Sequence, residues 1–380
     1  MKTGKTDRRD FLKATSTVAE SAALGAAVAT AEVKEKVVNR DVDAPVERTR
    51  SLTSISTSRQ TEDGFHVFER VFSDHDEYLS VGIANIHSIV PDIEANKEKI
   101  LRVLKIFKER QVNMAVFPEF CLTGYFWDDE KSCRKYMDEG VFENQSTWIE
   151  SSVRPMLDDH LKIIILNNIR KGPNNKYYNS TFILSRTHEH TLPDHIYNKI
   201  YLPGIEKIYT NTGLDDRLVA NTRWGRFGFT TCYDFMFSEL LQDYAKNGKV
   251  DAIIQVSSWR GAARRDYPGM NVGTDNYYGD LWDIVMPSRS ASNQVWTIAC
   301  NAVGIHGISG ARFWGGSGLW APSGLTLLQA SHFEEELLIV HNVDIQGQRK
   351  VELDDFDYAL DFRAIYRKIG GKRKFTIIDD

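Results

Sequence analysis

Gly228-Phe229-Thr230-Thr231-Cys232-Tyr233-Asp234-Phe235 is the stretch from which the rest of the chain is read. Arg226 to Thr231 is an apolar, strand-like run, and it breaks off into a polar turn at Cys232. The carboxyl end of a strand is where an α/β protein exposes a nucleophile. Two upstream segments hold what a thiol in that place needs. Val116-Phe117-Pro118-Glu119-Phe120 ends another apolar run on a carboxylate, and Tyr197-Asn198-Lys199-Ile200-Tyr201-Leu202-Pro203 puts a lysine before a turn.

Cysteine attacks well only as thiolate, and a free pKa of about 8.5 leaves little thiolate near neutrality. It needs a base to take the proton and a cation to favour the anion. Glu119 is the candidate base, approached through Pro118, which fixes an extended backbone. Lys199 is the candidate cation, for the thiolate first and then for an oxyanion; the backbone N–H of Tyr233 is a candidate second donor. Neither separation is local, so the fold must bring the three together. Read singly, Glu119 could be a helix-entry cap, Lys199 a surface residue and Cys232 a small core filler.

Jointly and in this order, the three segments resemble the Glu-Lys-Cys triad of the nitrilase superfamily, the carbon-nitrogen hydrolases, from about Tyr78 to Asp344. Sequence pattern alone calls for sheets covered by helices without choosing three layers or four. The resemblance implies four: an α/β fold, an α-β-β-α sandwich of the nitrilase type that commonly forms homodimers or higher homo-oligomers. It also implies hydrolysis of a non-peptide amide, carbamoyl or nitrile bond through a Cys thioester, with catalytic Glu119, Lys199 and Cys232 and no cofactor or metal. Glu206 matches a second family glutamate that orients the lysine, with Tyr233 as its fellow supporting residue. Tyr125, Ser257, Ser258 and Trp259 match places that line the substrate pocket, and Asn301, Gly304 and Gly315 to Gly318 match segments that support its floor. Cys232-Tyr233-Asp234 looks more like amidase and carbamoylase members, since nitrilases more often carry Trp-Glu after the cysteine. Ser238 departs from the family, many members having proline before the following glutamate, here Glu239. A non-catalytic binding or assembly protein that keeps the fold is the reading from another class.

Composition narrows the partners. The 380 residues, 42% hydrophobic and 26% charged, can bury a substantial core. A net charge of −5 gives no electrostatic case for nucleic acid. The one basic run, Arg367-Lys368 through Lys374, reads as a solvated face. Four cysteines in a chain this long make no disulfide framework and no CxxC metal spacing. Cys121 and Cys300 read as buried hydrophobes and Cys133 as a loop residue. His188-Glu189-His190 is the one close histidine pair, in a polar loop read as solvated. HExxH, P-loop, GxGxxG and GxSxG motifs are all missing from the sequence.

The organisation follows from the same pass. Residues 1–31 read as a twin-arginine signal, with Arg8-Arg9 before a weakly apolar stretch and Ala29-Thr30-Ala31 as a cleavage site, so periplasmic or extracellular export is expected. That stretch contains Glu20 and is too short and polar for stable membrane insertion. Residues 32–75 read as a polar arm, 76–350 as the hydrolase domain and 351–380 as a tail. Strands are expected at Leu79–Asn85, Met114–Pro118, Ile163–Ile169, Tyr177–Leu184, Arg226–Thr231, Ala252–Ser257, Val295–Ala302, Gly318–Ala321, Leu325–Ala330 and Leu337–Val343. Helices are expected after Pro91, with Ile93, Ile100, Leu104 and Phe107 as one stripe, and over Phe237–Ala245. Residues 260–286, aromatic-rich, read as a lid or an ordinary surface excursion.

Overall fold

The computed structural model describes residues 56–125, 130–186, 195–214 and 217–369. The twin-arginine segment, the first part of the expected polar arm and the His188-Glu189-His190 loop lie outside them.

Strands run in chain order as β1 (Thr57–Glu62), β2 (Phe65–Val71), β3 (Leu79–Asn85), β4 (Met114–Val116), β5 (Ile163–Lys171), β6 (Tyr177–Ser185), β7 (Ile196–Asn198), β8 (Thr210–Asn211), β9 (Val219–Thr222) and β10 (Gly225–Thr231). They continue as β11 (Ala252–Ser257), β12 (Arg265–Tyr267), β13 (Val272–Thr274), β14 (Trp296–Asn301), β15 (Val303–Ile305), β16 (Arg312–Trp314), β17 (Gly318–Trp320), β18 (Thr326–Gln329) and β19 (Glu336–Val343). Among the described residues a nine-stranded sheet has the order β1-β2-β19-β3-β4-β5-β6-β7, with β8 also on β6. A six-stranded sheet has the order β18-β17-β14-β11-β10-β9. β3, β4 and β5 are parallel, as are β10, β11 and β14, so their carboxyl ends point one way within each sheet.

Side-chain alternation shows how the layers stack. In β11, Ala252, Ile254 and Val256 enter one apolar cluster and Ile253 enters another. In β14, Trp296, Ile298 and Cys300 join the first cluster and Ala299 the second. The first cluster lies between the sheets, where the Cys300 thiol donates to Ala84 O (3.1 Å) and Val116 O (3.3 Å) on the facing sheet. Period-two burial on both faces of a strand is what a sheet enclosed on each side requires. Each fully buried Leu, Ile or Phe contributes about 1.5–3 kcal/mol here.

Helices close both outer faces, giving the α-β-β-α sandwich. Helix α1 (Ile93–Glu109) begins at Asp92, whose carboxylate accepts the Ala95 N–H, and buries Ile93, Ile100, Leu104 and Phe107 against the nine-stranded sheet. Gly82 of β3 lets it close in, because a Cβ there would sit 2.7 Å from the Phe107 ring. On the far side, Leu240 and Leu241 of a short helix (Ser238–Asp243) and Trp282, Val285 and Met286 of a long one (Tyr277–Asn293) cover the six-stranded sheet. Gly228 of β10 plays the part of Gly82, with Tyr244 as its aromatic neighbour at 2.7 Å.

Three expectations need correction. Part of the polar arm is a hairpin: β2 pairs in parallel with β19, so the domain starts by Thr57 rather than near Tyr78. Its turn, Asp63-Gly64, holds both residues at positive φ, and only Phe65 and Val67 bury fully, which is too little apolar period to stand out. The second half of the 260–286 segment is the start of the Tyr277–Asn293 helix, a core element that runs on through Pro287, a residue that more often ends helices. Cys133 is buried in the helix Glu130–Gly140, not in a loop. The tail is helical where described, over Ile345–Asp355 and Tyr358–Ile369. No helix of the described residues is long and apolar enough to cross a membrane.

Candidate active site

Strand ends deliver Glu119, Lys199 and Cys232, while Glu206 opens the short helix Glu206–Tyr209. Glu119 follows β4, Lys199 follows β7, Cys232 follows β10, and Ser257-Ser258 ends and follows β11. The segment after β4 is pinned backbone to backbone: Phe117 N donates to Ile165 O (3.0 Å), Glu119 N to Ser257 O (3.3 Å) and Cys121 N to Asn167 O (3.2 Å). Glu119 thereby bridges the two sheets.

Glu119, Lys199 and Glu206 are all fully buried, at 0% exposure. Lys199 Nζ lies 2.8 Å from Glu119 Oε1 and 2.7 Å from Glu206 Oε2. Glu119 Oε2 accepts the Ser258 N–H at 2.7 Å, and its main-chain carbonyl accepts the Ser258 hydroxyl at 2.8 Å. Both carboxylates accept from one amide, Asn179 Nδ2, at 2.7 Å for Glu119 and 3.0 Å for Glu206. One ammonium between two carboxylates leaves the buried cluster with a formal excess of one negative charge.

Cys232 opens a tight turn over Cys232–Met236 and sits at φ +50°, a left-handed conformation that raises its backbone energy. Such strain at the end of a strand re-aims the next side chain. Thr231 and Asp234 cap each other across the turn. Dehydration of the half-buried cysteine pushes its thiol pKa well above the ordinary value. The Glu119 carboxylate, both a nearby charge and a hydrogen-bond partner, adds to the rise, while Lys199 opposes it. Burial works against the Lys199 ammonium, but Glu119 and Glu206 outweigh it and hold the lysine pKa well above its usual range. Glu206 is pushed up by burial to about 7, against the pull of Lys199. At rest the arrangement is therefore a neutral thiol beside a protonated lysine.

The other expected residues divide. Tyr125 is buried, its ring 5.6 Å from that of Phe120, and it feels the charges of Glu206, Lys199, Glu119 and Cys232. Ser257 and Ser258 hold Glu119 in place. Trp259 is packed in the outer cluster, its indole N–H donating to Tyr278 O at 2.7 Å. Asn301 supports it from below: Oδ1 accepts the Trp259 N–H at 2.7 Å and Nδ2 donates to Gly315 O at 2.8 Å. Tyr233 is exposed beside Cys232, its ring edge-on to Phe237 at 5.1 Å.

Sequence reading missed two holders. Asn179 is the third residue of β6, and Asp234 is fully buried within the nucleophile turn. Asp234 accepts Tyr197 OH (2.7 Å), Tyr201 N (2.7 Å) and Thr231 N (3.0 Å), and burial raises its pKa to about 6. The signal for Asn179 was available: Asn167-Asn168 and Asn179-Ser180-Thr181 interrupt two otherwise apolar strands. Among the described residues no group of three or more His, Cys, Asp or Glu is placed to hold a metal ion.

Comparison with known proteins agrees with this architecture. The profile of the family described as carbon-nitrogen hydrolase matches residues 80–351. A protein called probable nitrilase C965.09, from Schizosaccharomyces pombe, is 22% identical over 275 residues, covering 72% of this chain and 91% of that one. An N-carbamoylputrescine amidase from Solanum tuberosum is 24% identical over 267 residues, covering 67% and 82%. Among solved structures, a carbon-nitrogen hydrolase from Helicobacter pylori G27 superposes with a TM-score of 0.62 at 20% identity, over 78% of this chain and 99% of that one. At that identity the structural likeness speaks for the fold.

Proposed function

The chain belongs to the carbon-nitrogen hydrolase family, and from that premise we propose that it cleaves an aliphatic amide or an N-carbamoyl compound through a thioester on Cys232. The observation that carries the reading is the buried contact of Lys199 Nζ with Glu119 Oε1 at 2.8 Å, with Glu119 also partnering the Cys232 thiol. Because the thiol starts neutral, Glu119 takes its proton as sulfur attacks the carbonyl carbon. Negative charge moves to the carbonyl oxygen, where the Lys199 ammonium and the Tyr233 backbone N–H receive it. The tetrahedral intermediate collapses, the C–N bond breaks, and the proton held by Glu119 leaves with ammonia or an amine. Glu119 then draws a proton from water, which attacks the thioester and releases acid and free thiol.

The N-carbamoylputrescine amidase likeness and the Cys232-Tyr233-Asp234 sequence favour amides and carbamoyl compounds over nitriles. A panel of aliphatic amides, ω-amides, N-carbamoyl compounds and nitriles, read by ammonia release, tests this. Turnover of amides or carbamoyl compounds that disappears in Cys232→Ala supports it; fast turnover of nitriles with none of amides overturns it. Export belongs to the same proposal and rests on Arg8-Arg9, the weakly apolar stretch after it and Ala29-Thr30-Ala31. Fractionation of a host producing the full chain, beside a variant with Arg8→Lys and Arg9→Lys, tests it; equal retention of both in the cytoplasm overturns it.

A further inference from the structure

We infer that Asn179 is a positioning residue of this site, its single side-chain amide nitrogen holding Glu119 and Glu206 on either side of Lys199. The inference rests on the proposed roles of Glu119 and Cys232. Asn179 Nδ2 donates to Glu119 Oε1 at 2.7 Å and to Glu206 Oε1 at 3.0 Å. Carboxylates only accept, so the orientation of the amide is fixed by its partners. Its main-chain carbonyl takes the Lys199 N–H at 2.8 Å, anchoring the lysine from the neighbouring strand.

The far side of the amide is tied just as closely. Asn167 Nδ2 donates to Asn179 Oδ1 and to Thr181 Oγ1, both at 3.0 Å, while Asn167 Oδ1 accepts the Phe120 N–H at 2.9 Å. Thr181 Oγ1 in turn lies 3.3 Å from Thr231 Oγ1, one residue before Cys232. Asn167 and Thr181 are register partners on β5 and β6. Asn179, Asn167 and Thr181 are all buried, so every link is shielded from water. One network thus reaches the backbone beside Glu119, both carboxylates, the lysine backbone and the strand end that bears the thiol.

Its consequence is chemical as well as geometric. Two buried carboxylates around one ammonium compete for protons, and a hydrogen bond to an ionised carboxylate favours that form. Asn179 supplies one N–H to each: at Glu206 it opposes the rise that burial causes, and at Glu119 it holds the carboxylate toward Lys199 and the Cys232 thiol. The titratable groups that face this pair are Lys199 from the end of β7, Cys232 from the end of β10 and Tyr125 from the segment after β4.

The test is the pH dependence of Cys232 alkylation by iodoacetamide in the full chain, followed by mass spectrometry, in the wild type, Asn179→Leu and Asn179→Ala. Leu keeps the volume and removes the donors; Ala removes both, and whichever variant retains wild-type circular dichroism decides the matter. Loss of the donors moves the acid limb of the labelling profile upward by about one pH unit and lowers the neutral-pH rate on the order of tenfold. Folded variants whose profiles superimpose on the wild type overturn the role of Asn179. If instead wild-type Cys232 labels no faster than Cys121, Cys133 and Cys300, the proposed function itself falls.

Discussion

Asp234 Oδ1 accepts the backbone N–H of Tyr201 at 2.7 Å, so the turn that carries Cys232 is fastened to the segment that carries Lys199. The other oxygen takes Tyr197 OH, two residues before the lysine, and Thr231 N–H, one residue before the nucleophile. Nucleophile and ammonium come from different sheets, and this carboxylate fixes their spacing.

Replacing it separates geometry from charge. Asp234→Asn keeps the shape but offers one acceptor oxygen where three donors converge, leaving at least one buried donor unmet. A loss of about 1–3 kcal/mol in urea unfolding is expected, with kcat falling more than KM rises. Asp234→Ala leaves all three donors unmet and costs more. A folded Asp234→Asn protein with unchanged kcat removes the clamp from the account.

Lys199 is the counter-ion of two buried carboxylates, so its removal strands both. Lys199→Met is expected to destabilise by about 3–5 kcal/mol, because the carboxylates lose their partner without regaining water. Adding Glu206→Gln in that background removes one of the stranded charges and restores part of the loss, while turnover stays absent in both. A double-mutant cycle by chemical denaturation measures the coupling. Additivity of the two changes contradicts a shared ion cluster.

Much of this was legible because chemistry-bearing residues sat at the ends of apolar runs. Met114 to Val116, wholly apolar and buried, leads to Glu119, where a carboxylate is conspicuous, and Gly225 to Thr231, buried except at Arg226, leads to Cys232. The strand expectations at Leu79–Asn85 and Ala252–Ser257 coincide with β3 and β11 residue for residue for the same reason. The partners of Asn179 and Asp234 were not legible, although the polar interruption that Asn179 makes in β6 was visible. They arise from pairings across sheets and strand registers that no local pattern encodes. The hairpin at Thr57–Val71 escaped because β1 is exposed along most of its length.

Two buried carboxyls set a pH signature. Asp234 rises from 3.8 to about 6, and Glu206 from 4.5 to about 7. Each binds its proton more tightly in the folded chain, so its stabilising contribution is complete below the unfolded value and fades as pH rises through the folded one. His87, which burial lowers from 6.5, acts in the opposite sense over an overlapping range. The informative quantity is therefore a difference. Between about pH 4.5 and 7 wild type should lose on the order of 2 kcal/mol relative to Glu206→Gln, measured by urea titration at each pH. A difference that stays level over that range contradicts the upward shift of Glu206.

The left-handed backbone at Cys232 separates what the residue does for chemistry from what it does for stability. At φ +50° a Cβ crowds the following carbonyl, at about 1–2 kcal/mol, and only glycine escapes the penalty. Cys232→Ala keeps the Cβ and hence the strain; Cys232→Gly relieves it but gives the unfolded chain more freedom, which offsets part of the gain. Cys232→Gly should therefore melt at or above the temperature of Cys232→Ala, although glycine at an ordinary position would melt lower. Both variants lack a nucleophile and should release no ammonia from any substrate the wild type turns over. A Cys232→Gly protein that melts clearly below Cys232→Ala would mean that the backbone there is not held left-handed, and the strained presentation of the thiol would have to be abandoned.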